Sequence, residues 1–204
     1  MAHTGNMTEE TGVLTRRSFA ASVAGFAAAS ALPVEAQAPL DIVVSSARVA
    51  RGGRLAFRCA LGRTGIRVDK REGDGATPAG VFPLREVLYR ADRVARPATA
   101  LPVRPLEPHD GWCDAPTDAR YNRLVRLPYG ASAEQLWRAD RLYDLIVVVG
   151  YNDAPVVPGK GSAIFLHVAR ANYAPTAGCV AFARGHLLRI LAMTAARARL
   201  IVRA

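Results

Sequence analysis

The chain predicts a mainly β domain, and three observations carry that expectation. Its apolar residues fall into short runs rich in Val, Ile and Phe, bounded by turn residues. Its 13 prolines and 17 glycines are scattered, which suits strands and turns better than a helical bundle. The one extended helical period lies at residues 185–196, with Leu187, Leu188, Leu191 and Ala195 on one side. Half of the 204 residues are hydrophobic, enough for one domain core behind a leader.

The elements are expected in this order. Leu40–Ala50 and Leu55–Leu61 read as strands, with alternation clearest in Leu55-Ala-Phe-Arg-Cys59 and a hairpin turn at Arg51-Gly-Gly-Arg54 between them. Residues 73–80 form a glycine-rich turn region. No Gly-Lys-Ser/Thr follows it, which argues against a phosphate loop. Val81–Tyr89 reads as a strand. Residues 91–120 hold Pro97, Pro102, Pro105, Pro108 and Pro116 and read as a long irregular loop, a place where function concentrates. Trp112, inside it, either lines a substrate groove or plugs the edge of the core. Leu124–Leu127 reads as a short strand, and Ser132–Arg138 as one or two helical turns with Ser132 as N-cap. Tyr143–Tyr151 is a near-continuous apolar strand, implying burial on both faces. Ser162–Val168 is another, and Arg199–Arg203 closes the chain as a strand. No repeat, low-complexity segment or second-domain linker follows residue 40.

Residues 1–36 read as an export leader. Thr15-Arg16-Arg17-Ser18-Phe19 is a twin-arginine pattern. The Ala- and Gly-rich stretch after it, Ala20 to Val34, is too short for a comfortable membrane span. Val34-Glu35-Ala36 and Ala36-Gln37-Ala38 both place small residues at cleavage positions, and Pro39 disfavours the second. The expected division is therefore a twin-arginine-type signal peptide at 1–36 and one domain at 37–204. The twin-arginine export machinery is the expected transit partner, and the expected location is exported, periplasmic or cell-wall associated.

Removing the leader takes out two arginines and three glutamates, leaving 25 basic and 14 acidic side chains and a net charge of +11. Such a charge raises nucleic acid as a partner. The arginines are dispersed, no basic run exceeds three residues, and the leader points away from the cytoplasm, so nucleic acid is not expected. The same field would draw the protein to an anionic wall polymer, and plain compositional bias toward Arg and Ala explains it equally well. No stable membrane span is expected once the leader is cut.

The chemistry concentrates in Ile164-Phe-Leu-His-Val-Ala-Arg-Ala-Asn-Tyr-Ala-Pro-Thr-Ala-Gly-Cys-Val-Ala181. A strand-like run delivers His167, a loop follows, and a Thr-x-Gly-Cys turn delivers Cys179. A thiol needs a base, and acyl transfer needs backbone N–H groups beside the thiol for an oxyanion. Buried structural roles for both side chains are the plain alternative. A metal is not expected, because no Cys-x-x-Cys or His-x-x-x-His spacing is present, and His109 and His186 lie far off in sequence. No cofactor is expected. The three cysteines are Cys59, Cys113 and Cys179. Either Cys59 and Cys113 pair and leave Cys179 free, or Cys59 is a reduced thiol buried in a strand.

The segment resembles the catalytic motif of the L,D-transpeptidase (YkuD-like) family, in the branch ending in Thr-Ala-Gly-Cys-Val-Ala. The likeness extends to Lys70-Arg-Glu-Gly-Asp-Gly-Ala-Thr-Pro-Ala-Gly-Val-Phe82, Asp110-Gly-Trp-Cys113, Tyr121-Asn122, Gly150-Tyr-Asn-Asp153 and the run from Gly159 to His167, and covers about residues 40–203. One departure stands out: many members carry arginine two residues after the cysteine, where this chain has Ala181. Arg170 and Arg184 are the nearby candidates to supply that charge.

The resemblance implies a β-sandwich of two packed sheets with short peripheral helices. It implies a peptidoglycan L,D-transpeptidase that cleaves a stem tetrapeptide and transfers the acyl group through a cysteine thioester to an amine. Peptidoglycan stem peptides are then the partner. Cys179 is the expected nucleophile, His167 the general acid/base, Gly178 and Cys179 the oxyanion backbone donors, and Thr176 an orienting residue. Imidazolium beside thiolate is expected to lower the thiol pKa. Asp153 or a backbone carbonyl would fix the imidazole. Trp112, Asn152, Ser162 and Arg170 are the expected substrate contacts. Two other readings stand beside this one: an L,D-carboxypeptidase with water as acceptor, and a non-catalytic cell-wall binding module.

Overall fold

The computed structural model describes residues 1–2 and 41–204. The leader reading therefore falls outside the described residues, apart from Met1 and Ala2. The described chain forms fourteen strands and one α-helix. In order these are β1 (Ile42–Ser45), β2 (Val49–Gly52), β3 (Leu55–Ala60), β4 (Ile66–Arg67), β5 (Thr77–Pro78), β6 (Gly80–Tyr89), β7 (Val103–Pro105), β8 (Asp110–Cys113), β9 (Leu124–Arg126), β10 (Ala133–Gln135), β11 (Leu145–Val149), β12 (Phe165–Val168), β13 (Val180–Phe182), α1 (Arg184–Ala192) and β14 (Arg199–Arg203).

Eight strands close into a ring, β11-β12-β13-β3-β2-β1-β14-β6 and back to β11. This corrects the two-sheet sandwich of the sequence reading. Closure depends on two strands that change partners along their length. β3 pairs with β2 through Leu55–Arg58 and then with β13 through Cys59–Ala60. β6 pairs with β14 through Gly80–Pro83 and then with β11 from Leu84 to Tyr89. The handover falls at Pro83, which has no N–H to continue a ladder. A ring leaves no open edges, the usual site of unwanted strand pairing. β7 adds to the far part of β6, β10-β8-β9 make a second sheet, and β4-β5 a third.

Every ring strand contributes to one main core. Val44, Phe57, Cys59, Leu84, Val147, Leu166, Val180, Phe182 and Leu200 lie in it, and α1 adds Leu187, Ile190 and Leu191. A second core forms on the other side of the wall made by β6, β11 and β12. It holds Leu88, Ile146, Val148 and Phe165 together with Trp112, Leu136, Tyr143 and Cys179. Strand alternation explains the division. Leu145, Val147 and Val149 face the main core while Ile146 and Val148 face the second, so all five residues of β11 are buried, as its unbroken apolar run predicts. Each such aliphatic side chain contributes about 1.5–3 kcal/mol on full burial.

Other expectations meet the structure unevenly. The Arg51–Arg54 turn is present: Gly52 pairs with Leu55, leaving Gly53, at φ +58°, and Arg54 as the loop. Leu40–Ala50 is not one strand, because the chain reverses after Ser45 and β2 pairs back onto β1. The 91–120 loop contains two short strands, β7 and β8. Ser132–Arg138 is not helical. Ala133–Gln135 pair with Gly111–Cys113, and Ser132 offers its carbonyl to the Asp114 N–H rather than capping a helix. Pairing to a neighbouring strand has overridden the local helix signal. The helix ends at Ala192, so Ala195 lies beyond it. Among the described residues a single α-helix and a 3-10 turn at Ala171–Tyr173 stand where several peripheral helices were expected.

Candidate active site

The register of two strands brings His167 and Cys179 together. β12 and β13 run parallel with Leu166 opposite Val180 and His167 opposite Ala181. Leu166, Val180 and Phe182 point into the main core. By alternation Phe165, His167, Cys179 and Ala181 share the opposite face. Cys179 thus stands one strand across and one step back from His167, a diagonal neighbour on the same surface. The Phe165 N–H reaches the Cys179 Sγ at 3.4 Å, and the thiol donates to the Ala163 carbonyl at 3.2 Å.

The turn before Cys179 is pinned on both sides. The Thr176 N–H donates to the Leu61 carbonyl at 2.9 Å, and the Thr176 carbonyl accepts from the Arg63 N–H at 2.9 Å. The Thr176 hydroxyl donates to the Cys179 carbonyl at 2.6 Å and accepts from the Gly178 N–H at 3.1 Å. Thr176 therefore orients the turn, not the imidazole. The Gly178 N–H is already engaged, and the Cys179 N–H is the donor that Thr176 does not occupy. Gly178 is at φ +146°, and a Cβ there would come 2.8 Å from the Ala76 carbonyl oxygen. Only glycine meets both conditions.

His167 is 6% exposed, and its Nδ1 bonds the Val168 carbonyl at 2.9 Å. A carbonyl only accepts, so Nδ1 carries the proton and Nε2 keeps its lone pair. The carbonyl, not Asp153, fixes the imidazole; Asp153 is paired with Arg85 at 2.8 Å. The Tyr143 ring meets the imidazole edge-on at 5.4 Å, and its hydroxyl donates to Glu134 at 2.7 Å. Arg138 lies 5.3 Å from the Tyr143 ring centre and is paired with Asp140 at 2.7 Å.

Burial sets the protonation of the pair. It lowers the His167 pKa to about 4 against the opposing bond to Val168. It also raises the Cys179 thiol to about 12, aided by the Glu134 charge and opposed by the Phe165 N–H and Lys70. The resting pair is therefore neutral thiol and neutral imidazole. The ion pair expected from the sequence is not the resting state, because desolvation outweighs charge pairing here. Burial likewise lifts the Glu134 carboxyl and the Tyr143 phenol.

His167 and Cys179 open onto one cavity of about 620 Å³. Of the expected substrate contacts, Ser162 and Arg170 line it, and Trp112 and Asn152 do not. Trp112 is 7% exposed, packs edge-on to Phe165 at 5.1 Å and donates its indole N–H to Asn122 at 2.9 Å. Asn152 holds its own loop, donating to the Val157 and Gly161 carbonyls and accepting from the Val157 N–H. Arg184 begins α1, is exposed and lies off the cavity lining. Lys70, Glu134, Arg138 and Tyr143 line the cavity and were not singled out from the sequence. Asn122 was quoted only within a motif. It is 3% exposed and accepts from both the Trp112 indole and the Ala163 N–H, which steadies the carbonyl under the thiol.

All three cysteines are free and buried, Cys59 among the main-core side chains. Among the described residues no group of three His, Cys, Asp or Glu side chains is placed to hold a metal ion, and no helix is long and apolar enough to cross a membrane. Comparison with curated proteins and with solved structures returns no match. The profile of the YkuD family, described as the L,D-transpeptidase catalytic domain, matches residues 40–202. A closed β domain that sets a histidine and a cysteine side by side on a cavity wall, matched over nearly the whole described chain, belongs to the YkuD family of L,D-transpeptidase catalytic domains.

Proposed function

We propose that this domain is a peptidoglycan L,D-transpeptidase working through a thioester on Cys179. Family membership carries L,D-transpeptidase-type catalysis and a cell-wall substrate. The observation that supports this assignment of roles is the diagonal placement of His167 and Cys179 on one cavity wall, with Nδ1 of the histidine occupied by Val168. In the first step the Cys179 Sγ bonds to the carbonyl carbon of the amide after the L-centred diamino acid of a stem tetrapeptide. His167 Nε2 takes the thiol proton as the bond forms, and passes it to the departing D-alanine amine. In the second step an acceptor amine attacks the thioester, Nε2 takes its proton, and that proton returns to the sulfur as it leaves.

Proton transfer is concerted with attack, because a thiol raised to about 12 offers little thiolate at neutral pH. The negative oxygen of each tetrahedral intermediate is met by the Cys179 N–H, and by the Gly178 N–H once the Thr176 hydroxyl gives it up. Ser162 and Arg170 contact the stem, with Arg170 supplying charge at the mouth. The twin-arginine pattern at Arg16-Arg17 supports export of the domain to the periplasm or wall through the twin-arginine route.

Intact-protein mass spectrometry with a disaccharide-tetrapeptide tests the reading, with and without a stem acceptor and beside a Cys179→Ala variant. The expected result is a Cys179-dependent acyl adduct that resolves to cross-linked product. Resolution to tripeptide alone would make the enzyme a carboxypeptidase. No adduct on folded, reduced protein would remove the nucleophile assignment.

A further inference from the structure

Lys70 is one of only two lysines in a chain with 27 basic side chains. It is buried, with 3% of its side chain exposed, yet it lines the cavity. Its ammonium donates to Asp74 Oδ1 at 2.7 Å and to the Arg71 carbonyl at 2.8 Å. Asp74 is in turn gripped by the Arg71 and Ala76 N–H groups, each at 2.8 Å. Burial would lift the Asp74 carboxyl, but Lys70 and these N–H groups hold it below its ordinary value. The stem of Lys70 threads between two glycines of the site. A Cβ placed on Gly161 would be 3.2 Å from the Lys70 Cε, and one placed on Gly178 would be 3.6 Å from it. Gly178 is the residue before the nucleophile. A compact ammonium fits this slot, where a planar guanidinium would need more width.

We propose that Lys70 is an electrostatic positioning residue for Cys179: its ammonium, fixed behind the Gly178 turn by Asp74 and the Arg71 carbonyl, stabilises the negative charge that forms on the sulfur and on the acyl oxygen. The two glycines serve this by letting the stem pass. The proposal rests on Cys179 being the nucleophile. Other charges face the same cavity: Glu134 raises the thiol, His167 and Tyr143 are neutral in the resting site, and Arg63, Glu72, Asp114, Arg138 and Arg170 also line it. Lys70 differs from the cavity arginines in its burial and in its place directly behind the nucleophile turn. Its charge already pulls the thiol down against the burial that lifts it.

Two substitutions separate this role from simple support of the 70–76 turn. Lys70→Met removes the charge and keeps the stem. Asp74→Asn removes the counter-charge and leaves the ammonium uncompensated. If Lys70 only holds the turn, both variants disturb Cys179 in the same direction. If its charge acts on the sulfur, they move it in opposite directions. The readout is the rate of iodoacetamide alkylation of Cys179 from pH 7 to 10, followed on its tryptic peptide, with Cys179→Ala as the blank. Lys70→Met is expected to slow alkylation roughly tenfold at fixed pH, as one pKa unit requires, and Asp74→Asn to speed it several-fold. Slowing in both, or no change in Lys70→Met, overturns the proposal. Should Lys70→Met fail to fold by circular dichroism, Asp74→Asn decides alone: acceleration supports the proposal, and slowing or no change overturns it. Alkylation needs no acyl substrate, so failure of the transpeptidase assay leaves this result readable.

Discussion

Cys59 and Cys179 lie on opposite sides of the same wall. Cys59 pairs in register with Phe182 of β13 and faces the main core. Cys179 immediately precedes β13 and faces the second core. Burial raises both thiols to about 12. By burial and proton affinity they are alike, and neither would be picked as reactive on those grounds. What separates them is what lies on each side. Around Cys59 there is the aliphatic and aromatic packing of the main core, with the Arg48 charge opposing the rise of its pKa. Around Cys179 there are an imidazole with a free Nε2, a pinned turn with a spare N–H, and an open cavity. In the proposed mechanism, reactivity is set by the face and not by the thiol.

The largest effect that sharpens this contrast comes from removing each sulfur. Cys179→Ala is expected to lower cross-linking turnover by about 10⁴-fold or more, with little change in stability beyond the lost packing. Cys59→Ala is expected to keep turnover and cost about 1–2 kcal/mol in chemical denaturation, since it opens a small hole in a closed core. Equal loss of turnover in the two variants would break the comparison.

His167 gives the next effect, through pH. Its pKa in the folded protein is about 4 against an ordinary 6.5, because burial disfavours the charged ring. The unfolded chain then binds the proton first as pH falls. Stability from keeping this ring neutral is complete above about pH 6.5 and is lost as pH drops toward 4. Two and a half units correspond to about 3 kcal/mol. Denaturation midpoints of the parent protein are expected to fall across that window, and those of His167→Gln to stay flatter. An identical slope in both would show that the imidazole does not carry this dependence.

Two glycines sharpen the picture at the level of the turn. Gly178→Ala is expected to reduce turnover about 10²-fold and to destabilise by about 1–3 kcal/mol, because a Cβ strains the positive φ and meets the Ala76 carbonyl. Gly185→Ala, in the first turn of α1 with open space around its Cβ, is expected to stabilise by about 0.4–1 kcal/mol and leave turnover alone. Kinetics and thermal melts on the two variants check this pair.

The sequence was informative where a signal is local. The apolar run in β11, the turn at Gly53 and the closing strand β14 are visible because pattern and turn chemistry act over a few residues. His167, Cys179 and Gly178 were legible because the motif holds them within thirteen positions. Ring closure was not legible, since it depends on β3 and β6 exchanging partners far apart in sequence. β10 was read as helix because Ser132 to Arg138 has capping chemistry, and only its pairing with β8 decides otherwise. Lys70 comes to the cavity from a segment far in sequence from Glu134 and Tyr143, and no spacing rule connects the three. The hints toward Lys70 were its place at the head of the Lys70–Phe82 stretch and the scarcity of lysine in an arginine-rich chain.

Trp112 offers the most discriminating change. The sequence left it as either a groove residue or a core plug, and it belongs to the second core, off the cavity lining. Its indole N–H is bonded to Asn122, whose same oxygen accepts from the Ala163 N–H and whose amide donates to the Tyr151 and Asn152 carbonyls. Trp112→Phe removes one of these bonds and leaves the other three, so Asn122 stays in place and Ala163 still presents its carbonyl to the thiol. The expected cost is about 1 kcal/mol of stability from the lost bond, with the smaller ring adding a packing penalty of similar size. KM for the stem peptide is expected to stay within about twofold, since a residue outside the cavity makes no uniform binding contact. A rise in KM at unchanged stability would move Trp112 back to the groove and would make the boundary between the second core and the substrate site one that opens when substrate binds.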